Sequence, residues 1–284
     1  MVTNIRSRVE VVASGVALHY GRFPVEDSEA FSDFHVSVDR APGLRRWVRP
    51  QVHFRFDREA PFNPLPAPQA FPMLEWGLNW CVSNYCHQYL ILHAAVVERH
   101  GMALILPAPP GSGKSTLCAG LVNRGWRLLS DELTMIDPAG PTVAPIPRPV
   151  SLKNASIEVI RDFAPAAVLG PVVHDTVKGS VAHMQPPADS VSRASEHVAP
   201  RWVVLPRYQA GSDARLDRLS RARGFMHLSQ NAFNYNAHGR RGFELLARVT
   251  DQCEFFEFTY SRLEEAEVVF ARLASAAVLP AAER

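Results

Sequence analysis

Two short apolar segments near the middle of the chain are separated by a tight turn. The first lies in YLILHAAVVERHG, residues 89–101, and the second spans residues 102–106. Short apolar segments bounded by turn residues are typical of buried strands, so the pattern predicts a β-hairpin that turns at 99–101. Prolines and a glycine interrupt the apolar pattern at 107–111, and a helix is predicted from residue 113 to residue 125.

The second half of the chain alternates strand-like and helix-like patterns, which fits an α/β fold. Residues 214–223 are rich in arginine and predict the solvated face of a helix. Strands are predicted at 126–129, 133–136, 142–145, 202–205 and 253–260, with a turn at 137–140 making a second hairpin. Helices are predicted at 156–163, 225–236, 242–250 and 263–277.

The first 60 residues favour strands instead. Residues 9–18, 35–38 and 52–56 are rich in β-formers and are separated by glycine and proline turns. A proline-rich connector at 61–72 follows, and residues 71–86 then carry apolar positions at helical spacing. We therefore predict a small β-rich N-terminal lobe at 1–68 and a larger domain at 69–284.

Composition narrows the class of protein. A chain of 284 residues with 47% hydrophobic and 20% charged residues is ordinary for a soluble globular protein. A net charge of +2 gives no reason to expect nucleic acid or an anionic membrane as a partner. No signal-like or membrane-spanning segment is evident, so we expect a cytoplasmic protein. The four cysteines show no metal-ligand spacing and are expected to be buried thiols.

The glycine-rich segment between the predicted strand and helix has the pattern of a phosphate-binding P-loop. Small residues let backbone N–H groups surround a phosphate, and the helix N-terminus adds partial positive charge. Lys114 would reach the β- and γ-phosphates, and the Ser115 hydroxyl would hold Mg²⁺. One departure is Ala108, which stands where the usual motif begins with glycine. The predicted nucleotide-binding residues are Pro110, Gly111, Ser112, Gly113, Lys114, Ser115 and Thr116.

Two acidic residues follow the next predicted strand. Asp131 and Glu132 come after the apolar residues 126–129, where a P-loop protein needs carboxylates to hold Mg²⁺ and to handle a proton. The alternative is that Ser130-Asp131-Glu132 caps the N-terminus of a helix. The predicted hairpin also brings His93 beside the loop, where it is either functional or a buried strand histidine.

Three elements of this sequence resemble the HPr kinase/phosphorylase catalytic domain and its bacterial relatives, the HPr kinase-related kinases. They are Leu92-His93-Ala94, the loop PGSGKST, and NRGWRLLSDE at 123–132. The resemblance is specific over 88–136 and looser beyond. Glu132 stands where HPr kinase has Asp, and PRPVSLKN at 147–154 replaces the family's Glu-Ile-Arg-Gly signature. That segment, with 174–183 and 231–235, resembles the HPr kinase-related subgroup.

The resemblance implies a P-loop kinase domain of the HPr kinase and phosphoenolpyruvate carboxykinase type, with ATP and Mg²⁺ as cofactors. Ser115, Asp131 and Glu132 are the implied metal ligands, and one of the two acids would accept the proton of the acceptor hydroxyl. Family analogy favours Glu132 as this base, although the sequence does not settle which acid has which role. His93 would orient the acid or contact the phosphoryl group.

Four further side chains are candidate phosphate or substrate contacts. Arg148 and Lys153 lie between turn residues after the loop, where cations suit a γ-phosphate or an acidic substrate. His174 and Lys178 lie in 174–183, which is predicted to be a mobile loop and a strand that close over the site. The alternative for Arg148 and Lys153 is that they are ordinary solvated charges.

The combined prediction is a kinase that transfers the γ-phosphoryl group of ATP to a hydroxyl, expected to be serine, of a peptide or protein. Peptides encoded beside the gene are natural candidates for this acceptor. One rival is a small-molecule kinase of the same fold, and another is a nucleotide-gated binding module without catalysis. A homo-oligomer stays open, as does GTP or pyrophosphate in place of ATP.

Overall fold

The computed structural model of the protein describes residues 1–27, 30–109 and 111–278. Its first elements are β1 (Thr3–Ser7), α1 (Glu10–Tyr20), β2 (Phe34–Arg40), β3 (Gln51–Phe56), β4 (Leu65–Pro66) and α2 (Ala70–Tyr85). The four strands form one sheet in chain order, and both helices pack against its apolar side chains. Helix α2 approaches closely, because a Cβ atom on Gly77 would lie 2.2 Å from the ring of Phe54.

The predicted strand at 9–18 is wrong, because residues 10–18 belong to α1. Strand β1 pairs in parallel with β2, and parallel neighbours require a crossover connection, which is usually a helix. Val9, Val12, Gly15 and His19 are buried at helical spacing, so this segment packs as a helix. The strands predicted at 35–38 and 52–56 and the helix at 71–86 are confirmed as β2, β3 and α2.

The middle of the chain follows the predicted order. Its elements are β5 (Leu90–Arg99), β6 (Met102–Pro107), α3 (Lys114–Val122), β7 (Arg127–Ser130), β8 (Leu133–Asp137) and β9 (Thr142–Ala144). Strands β5 and β6 pair antiparallel, as do β8 and β9, so both predicted hairpins are confirmed.

A three-stranded antiparallel sheet follows. The elements here are β10 (Val150–Lys153), α4 (Ala155–Phe163), β11 (Val173–Thr176), β12 (Gly179–Met184) and α5 (Ala188–Ser192). The sheet order is β10-β12-β11. The segment at 174–183 is thus a β-hairpin, where the prediction had a loop and one strand. Its closure over the site stays a prediction.

The chain ends with β13 (Ala199–Tyr208), β14 (Arg215–Leu219), α6 (Arg221–Gln230), α7 (Tyr235–Gln252), β15 (Glu254–Tyr260) and α8 (Leu263–Val278). The strands predicted at 202–205 and 253–260 and the last helix are confirmed. The helix predicted at 225–236 instead ends at Gln230. Helix α7 contains a break at Gly239, which has φ +51°.

Residues 221–223 of the arginine-rich segment at 214–223 begin α6, as predicted, but residues 215–219 form strand β14 at the edge of a sheet, where the helix prediction is wrong. Strand β14 pairs antiparallel with β15, and the arginines of the segment meet acidic side chains. Arg218 contacts Glu254 at 2.9 Å, and Arg223 contacts Glu257 at 3.0 Å. The basic run is therefore ion-paired and exposed, along the sheet edge and at the start of α6.

The largest sheet of the described chain has the order β14-β15-β13-β6-β5-β8-β9, and β7 also pairs with β5. Strands β6, β13 and β15 are parallel to one another. One face packs against α3, α4 and α8 through large side chains that include Trp126, Trp202 and Phe270, and the other packs against α6 and α7. The protein is therefore a mixed α/β structure with several sheets.

Strand β5 lies between the end of β6, where the glycine-rich loop starts, and the turn that joins β7 to β8. Its residues 90–93 pair with β8 and its residues 96–98 pair with β7, so the corner between β7 and β8 lies beside Ala94 and Ala95. On its other edge, β6 ends at Pro107, which pairs with Ala94. The glycine-rich loop, which follows β6, and the acidic corner, Asp131 and Glu132, therefore lie on opposite edges of β5.

Two predictions concern the whole chain. The division into 1–68 and 69–284 stays a prediction. No helix in the described ranges has both the length and the apolar character needed to cross a membrane.

Candidate active site

The glycine-rich loop joins the end of β6 to the start of α3. Gly111 and Gly113 have φ of +84° and +88°, the left-handed region that favours glycine. Gly113 is the residue before α3, and its carbonyl accepts the N–H of Leu117 at 2.9 Å. Gly113 therefore joins the loop directly to the first turn of α3. Pro110, one of the predicted loop residues, lies outside the described residues.

Strands β13 and β15 hold this loop in place. The N–H of Tyr208, at the end of β13, donates to the carbonyl of Ser112 at 3.0 Å. The hydroxyl of Tyr260, at the end of β15, donates to the carbonyl of Gly113 at 2.9 Å. A Cβ atom on Gly113 would lie 2.4 Å from that hydroxyl oxygen, so both the backbone conformation and the available space require glycine there.

Lys114 is buried at the first position of α3. The residue is only 7% exposed, and its Nζ has no hydrogen-bond partner among the described residues. The Ser112 hydroxyl is buried without a partner in the same way. A buried ammonium group without a partner is costly, and a helix N-terminus already favours an anion. These groups fit a phosphate ligand.

Ser115 and Thr116 follow in the first turn of α3 and are half-buried. The described residues contain no group of three or more His, Cys, Asp or Glu side chains arranged to bind a metal ion. A cation at this site would therefore need oxygen ligands from a bound phosphate as well as from the protein.

The acidic corner connects two strands, so the alternative that it caps a helix is wrong. The Ser130 hydroxyl accepts the N–H of Leu133 and closes the turn into β8. Asp131 is 4% exposed; one of its carboxylate oxygens accepts the N–H of Ser151 at 3.0 Å, and the other has no partner among the described residues. Burial and the neighbouring Glu132 raise the pKa of Asp131 to about 6.

Glu132 lies between two basic side chains. Its Oε2 is 3.3 Å from Nε2 of His93, and its Oε1 is 3.4 Å from Nζ of Lys153. Burial alone would raise the pKa of Glu132, but the His93 hydrogen bond and the charges of Lys114 and Lys153 hold it well below its usual range. Glu132 is therefore ionised in the resting site, whereas Asp131 titrates near neutrality.

His93 reaches this cluster from the middle of β5. Its backbone N–H donates to the carbonyl of Asn231 at 2.7 Å, and its ring lies 5.5 Å from that of Phe233. The histidine is 27% exposed and bound to Glu132, so it is not an ordinary buried strand histidine.

Residues 231–234 form a short strap along β5 that the sequence did not indicate as part of the site. The strap continues the edge that β6 leaves at Pro107, and Ala232 pairs with Leu92. The Asn234 side chain fastens it, accepting the N–H of Ile91 and donating to the carbonyl of Tyr89. The strap holds the exposed ring of Phe233 beside His93.

Arg148 does not join the Glu132 cluster. Its guanidinium group contacts Glu75 at 2.8 Å, Asn79 at 3.1 Å and the Tyr20 hydroxyl at 3.4 Å. Despite burial, these partners, Tyr20 and Glu75 foremost, raise the pKa of Arg148 above its usual range. This arginine therefore ties the segment after β9 to α1 and α2, and the geometry favours a structural role over phosphate binding.

The two candidates on the β11–β12 hairpin differ in their surroundings. His174 is exposed, and its Nδ1 lies 2.9 Å from the Ser180 hydroxyl, within the same hairpin. Lys178 places its Nζ over the ring of Trp76 in α2, 5.1 Å from the centroid. Burial and the positive charge of Lys153 lower the pKa of Lys178. The charges of Lys153, Glu132 and Lys114 act on Lys178, which places this side chain near the site.

The comparisons with known proteins add a local similarity. No family model matches the sequence. The chain is similar to the HPr kinase/phosphorylase of Chloroherpeton thalassium (strain ATCC 35110 / GB-78), with 30% identity over 87 residues. The match covers 31% of this chain and 23% of that relative. The similarity thus concerns about a quarter of the relative's length and supports a relationship to that family over one segment.

Proposed function

We propose that the protein is a P-loop kinase of the HPr kinase-related type, with the HPr kinase and phosphoenolpyruvate carboxykinase fold. It transfers the γ-phosphoryl group of ATP, with Mg²⁺, to a hydroxyl of a peptide or protein, and we expect that hydroxyl to be a serine. The local similarity to an HPr kinase/phosphorylase supports a phosphotransferase of this class.

One observation carries the proposal. The Lys114 ammonium is buried without a partner among the described residues, and its charge acts on both Asp131 and Glu132. A buried ammonium group without a hydrogen-bond partner, near two carboxylates and a glycine-rich loop, lowers the stability of a protein that binds no ligand there. Phosphate oxygens would satisfy both Lys114 and the N–H groups of the loop, which explains the arrangement.

The loop residues bind and orient the phosphates. The backbone from Gly111 to Gly113 surrounds them, Lys114 reaches the β- and γ-phosphates, and the start of α3 adds partial positive charge. Thr116 lies one residue further along the same turn. Catalysis in such a site comes mostly from positioning and from charge neutralisation.

Asp131 and Ser115 fit a magnesium ion. The Asp131 carboxylate oxygen without a partner in the described part of the chain and the hydroxyl of Ser115 are hard oxygen ligands, which Mg²⁺ prefers. When bound, Mg²⁺ would supply charge neutralisation for the β- and γ-phosphates. Because the pKa of Asp131 is raised to about 6 by burial and by Glu132, this oxygen becomes a better cation ligand as the pH rises through that value.

Glu132 is the carboxylate placed to receive the acceptor's proton. It is more exposed than Asp131, is ionised in the resting site, and is oriented by the hydrogen bond from His93. The hydroxyl oxygen of the acceptor attacks the γ-phosphorus, its proton passes to Glu132, and the bond to the β-phosphate oxygen breaks. If Lys153 contacted the γ-phosphate instead of Glu132, Glu132 would be a stronger base.

Incubation of the purified protein with γ-labelled ATP, Mg²⁺ and peptides encoded beside the gene tests this function. Lys114→Ala and Glu132→Gln are run in parallel. Label on a peptide serine that disappears in both variants supports a peptide kinase with the assigned roles.

Two other outcomes would replace the proposal. Nucleotide binding that Lys114→Ala abolishes, without labelled product from any acceptor, indicates a nucleotide-gated binding module. Label that passes only to small hydroxyl metabolites indicates a small-molecule kinase.

A further inference from the structure

We infer that Tyr208 is the platform on which the base of a nucleoside triphosphate stacks, so that the donor is recognised at both its ends. The inference rests on the proposed function, because it assumes that the loop binds the donor's phosphates. It adds a base-binding subsite, which would make a nucleotide a better donor than pyrophosphate.

The two sides of the loop differ, and this difference sets the direction of the bound donor. The acid flank, His93, Asp131, Glu132 and Lys153, lies on the β5 side. The tyrosine flank, Tyr208 and Tyr260, lies on the side of β13 and β15. Proton and phosphoryl transfer need carboxylates and cations, so the γ-phosphate end points to the acid flank. The base then leaves the loop on the opposite side.

That opposite side is where a parallel sheet offers a ligand site. Strands β6, β13 and β15 are parallel, so their carboxyl ends share one edge. Ligands of open α/β sheets bind outside the carboxyl ends of the strands. The loop follows β6, and Tyr208 is the last residue of β13, so the two occupy neighbouring positions along this edge.

The backbone of Tyr208 is held directly against the loop. Its N–H donates to the carbonyl of Ser112 at 3.0 Å. A Cβ atom built on Gly113 would lie 3.1 Å from the Cβ of Tyr208. The tyrosine side chain therefore starts within van der Waals reach of the phosphate loop, at a position that the loop itself determines.

The ring of Tyr208 has surface left for a second partner. Its nearest aromatic neighbour among the described residues is Tyr260, at 5.9 Å between ring centroids and nearly perpendicular. Tyr208 is nevertheless 52% exposed. An aromatic ring with this much open surface beside a phosphate loop fits a planar nucleobase, because base–aromatic stacking is favourable for any base.

Phe233 provides a matched control on the other flank. It is 54% exposed, close to the value for Tyr208, but its ring lies beside His93. If exposed aromatic surface alone governed donor affinity, both residues would contribute equally. The inference assigns base binding to Tyr208 and none to Phe233.

Titration calorimetry with ATP, GTP and inorganic tripolyphosphate, each with Mg²⁺, tests the inference on the full chain. The proteins are the wild type, Tyr208→Ala, Tyr208→Phe and Phe233→Ala. We expect Tyr208→Ala to weaken ATP binding by roughly 5- to 150-fold, the range for loss of one base–aromatic stack, with tripolyphosphate affinity unchanged. Tyr208→Phe should restore ATP binding, and Phe233→Ala should keep the wild-type ratio of ATP to tripolyphosphate affinity.

Each of the other outcomes contradicts the inference or the proposed function. Equal loss of ATP and tripolyphosphate in Tyr208→Ala would show that the residue only shapes the loop, and no loss would show that the base lies elsewhere. Either result overturns the inference alone. A wild-type protein that binds tripolyphosphate as tightly as ATP also overturns it. A wild-type protein that binds no phosphate compound overturns the proposed function and, with it, the inference.

Discussion

The acid flank and the tyrosine flank lie on either side of the same loop, but their interactions differ in kind. On the tyrosine flank, the backbone N–H of Tyr208 and the hydroxyl of Tyr260 bond to loop carbonyls. On the acid flank, one oxygen of Asp131 has no partner among the described residues, at the edge of a cluster of close charges. One flank stabilises the loop, and the other holds groups that the proposed function pairs with a ligand.

This difference distinguishes structural from chemical polar groups. A buried polar group that serves only the fold is normally paired, as the Tyr260 hydroxyl is. Asp131 and Lys114 each keep a buried polar atom without a partner among the described residues, and the pKa of Asp131 is raised, a combination that clusters at functional sites. The comparison predicts that substitutions on the acid flank change chemistry, whereas those on the tyrosine flank change affinity.

The largest effect is expected from Glu132→Gln. Removal of a positioned general base lowers the rate of transfer by about 10²- to 10⁴-fold, and ATP affinity should not weaken, because a negative charge near the phosphates is removed. Single-turnover transfer from γ-labelled ATP measures the rate, with Glu158→Gln on an exposed face of α4 as the control. A rate close to that of the wild type would remove Glu132 from the chemistry.

Arg148→Ala tests whether this arginine belongs to the acid flank. Breaking a buried ion pair costs about 3–5 kcal/mol of folding free energy, because Glu75 would be left buried with an unpaired charge. Urea unfolding measures the loss. The control Arg161→Ala breaks an exposed pair with Glu158 and should cost under about 1 kcal/mol. Unchanged stability together with weaker tripolyphosphate binding would indicate that Arg148 binds phosphate.

Asp131→Asn should stabilise the ligand-free protein while it abolishes transfer. The pKa of Asp131 is raised to about 6, so the folded state binds its proton more tightly than the unfolded state does. The carboxylate therefore destabilises the fold above that pH, and the penalty fades as the pH falls through 6 towards 4. We expect a gain of about 1–3 kcal/mol at pH 7.5.

Urea unfolding of wild type and Asp131→Asn at pH 7.5 and pH 5 measures this effect. The exposed Asp162→Asn in α4 is the control and should change stability little at either pH. A gain that is absent, or that grows as the pH falls, would contradict the assignment of an unfavourably buried carboxylate.

The smallest effect is expected from Tyr260→Phe. It removes one hydrogen bond to the loop, worth about 0.5–1.5 kcal/mol, while the Gly113 carbonyl keeps its bond from Leu117. Because the change acts on loop geometry, ATP and tripolyphosphate should weaken by the same factor in titration calorimetry. A loss restricted to ATP would mean that Tyr260 also contacts the base.

The parts of the site that the sequence predicted are those built by local rules. The β5–β6 hairpin, the start of α3 and the acids after β7 follow from apolar periodicity and turn residues over short distances. The hairpin then places His93 near the loop without further information. The local pattern also misled at 9–18, where valines favoured a strand but parallel pairing of β1 with β2 requires a helical crossover.

The parts that the sequence did not predict depend on distant contacts. Asn234 bonds to Ile91 across 143 residues, and Tyr260 bonds to Gly113 across 147. No local pattern indicates that a strap or a strand end will lie beside the loop. Arg148 is a related case, since a cation in a proline-rich turn has no visible partner until α2 brings Glu75 beside it. Tyr208 lies beyond the strand predicted at 202–205, and its place at the end of β13, parallel to β6, is visible only in the structure.

The most direct test of the account is single-turnover transfer from γ-labelled ATP to serine peptides, measured at increasing ATP for wild type, Glu132→Gln and Tyr208→Ala. The account predicts a labelled serine, a transfer rate lowered by about 10²- to 10⁴-fold in Glu132→Gln, and a roughly tenfold higher half-saturating ATP concentration in Tyr208→Ala. The two variants would then affect different parameters. A wild-type protein that transfers no label, or two variants that change the same parameter, would contradict the account.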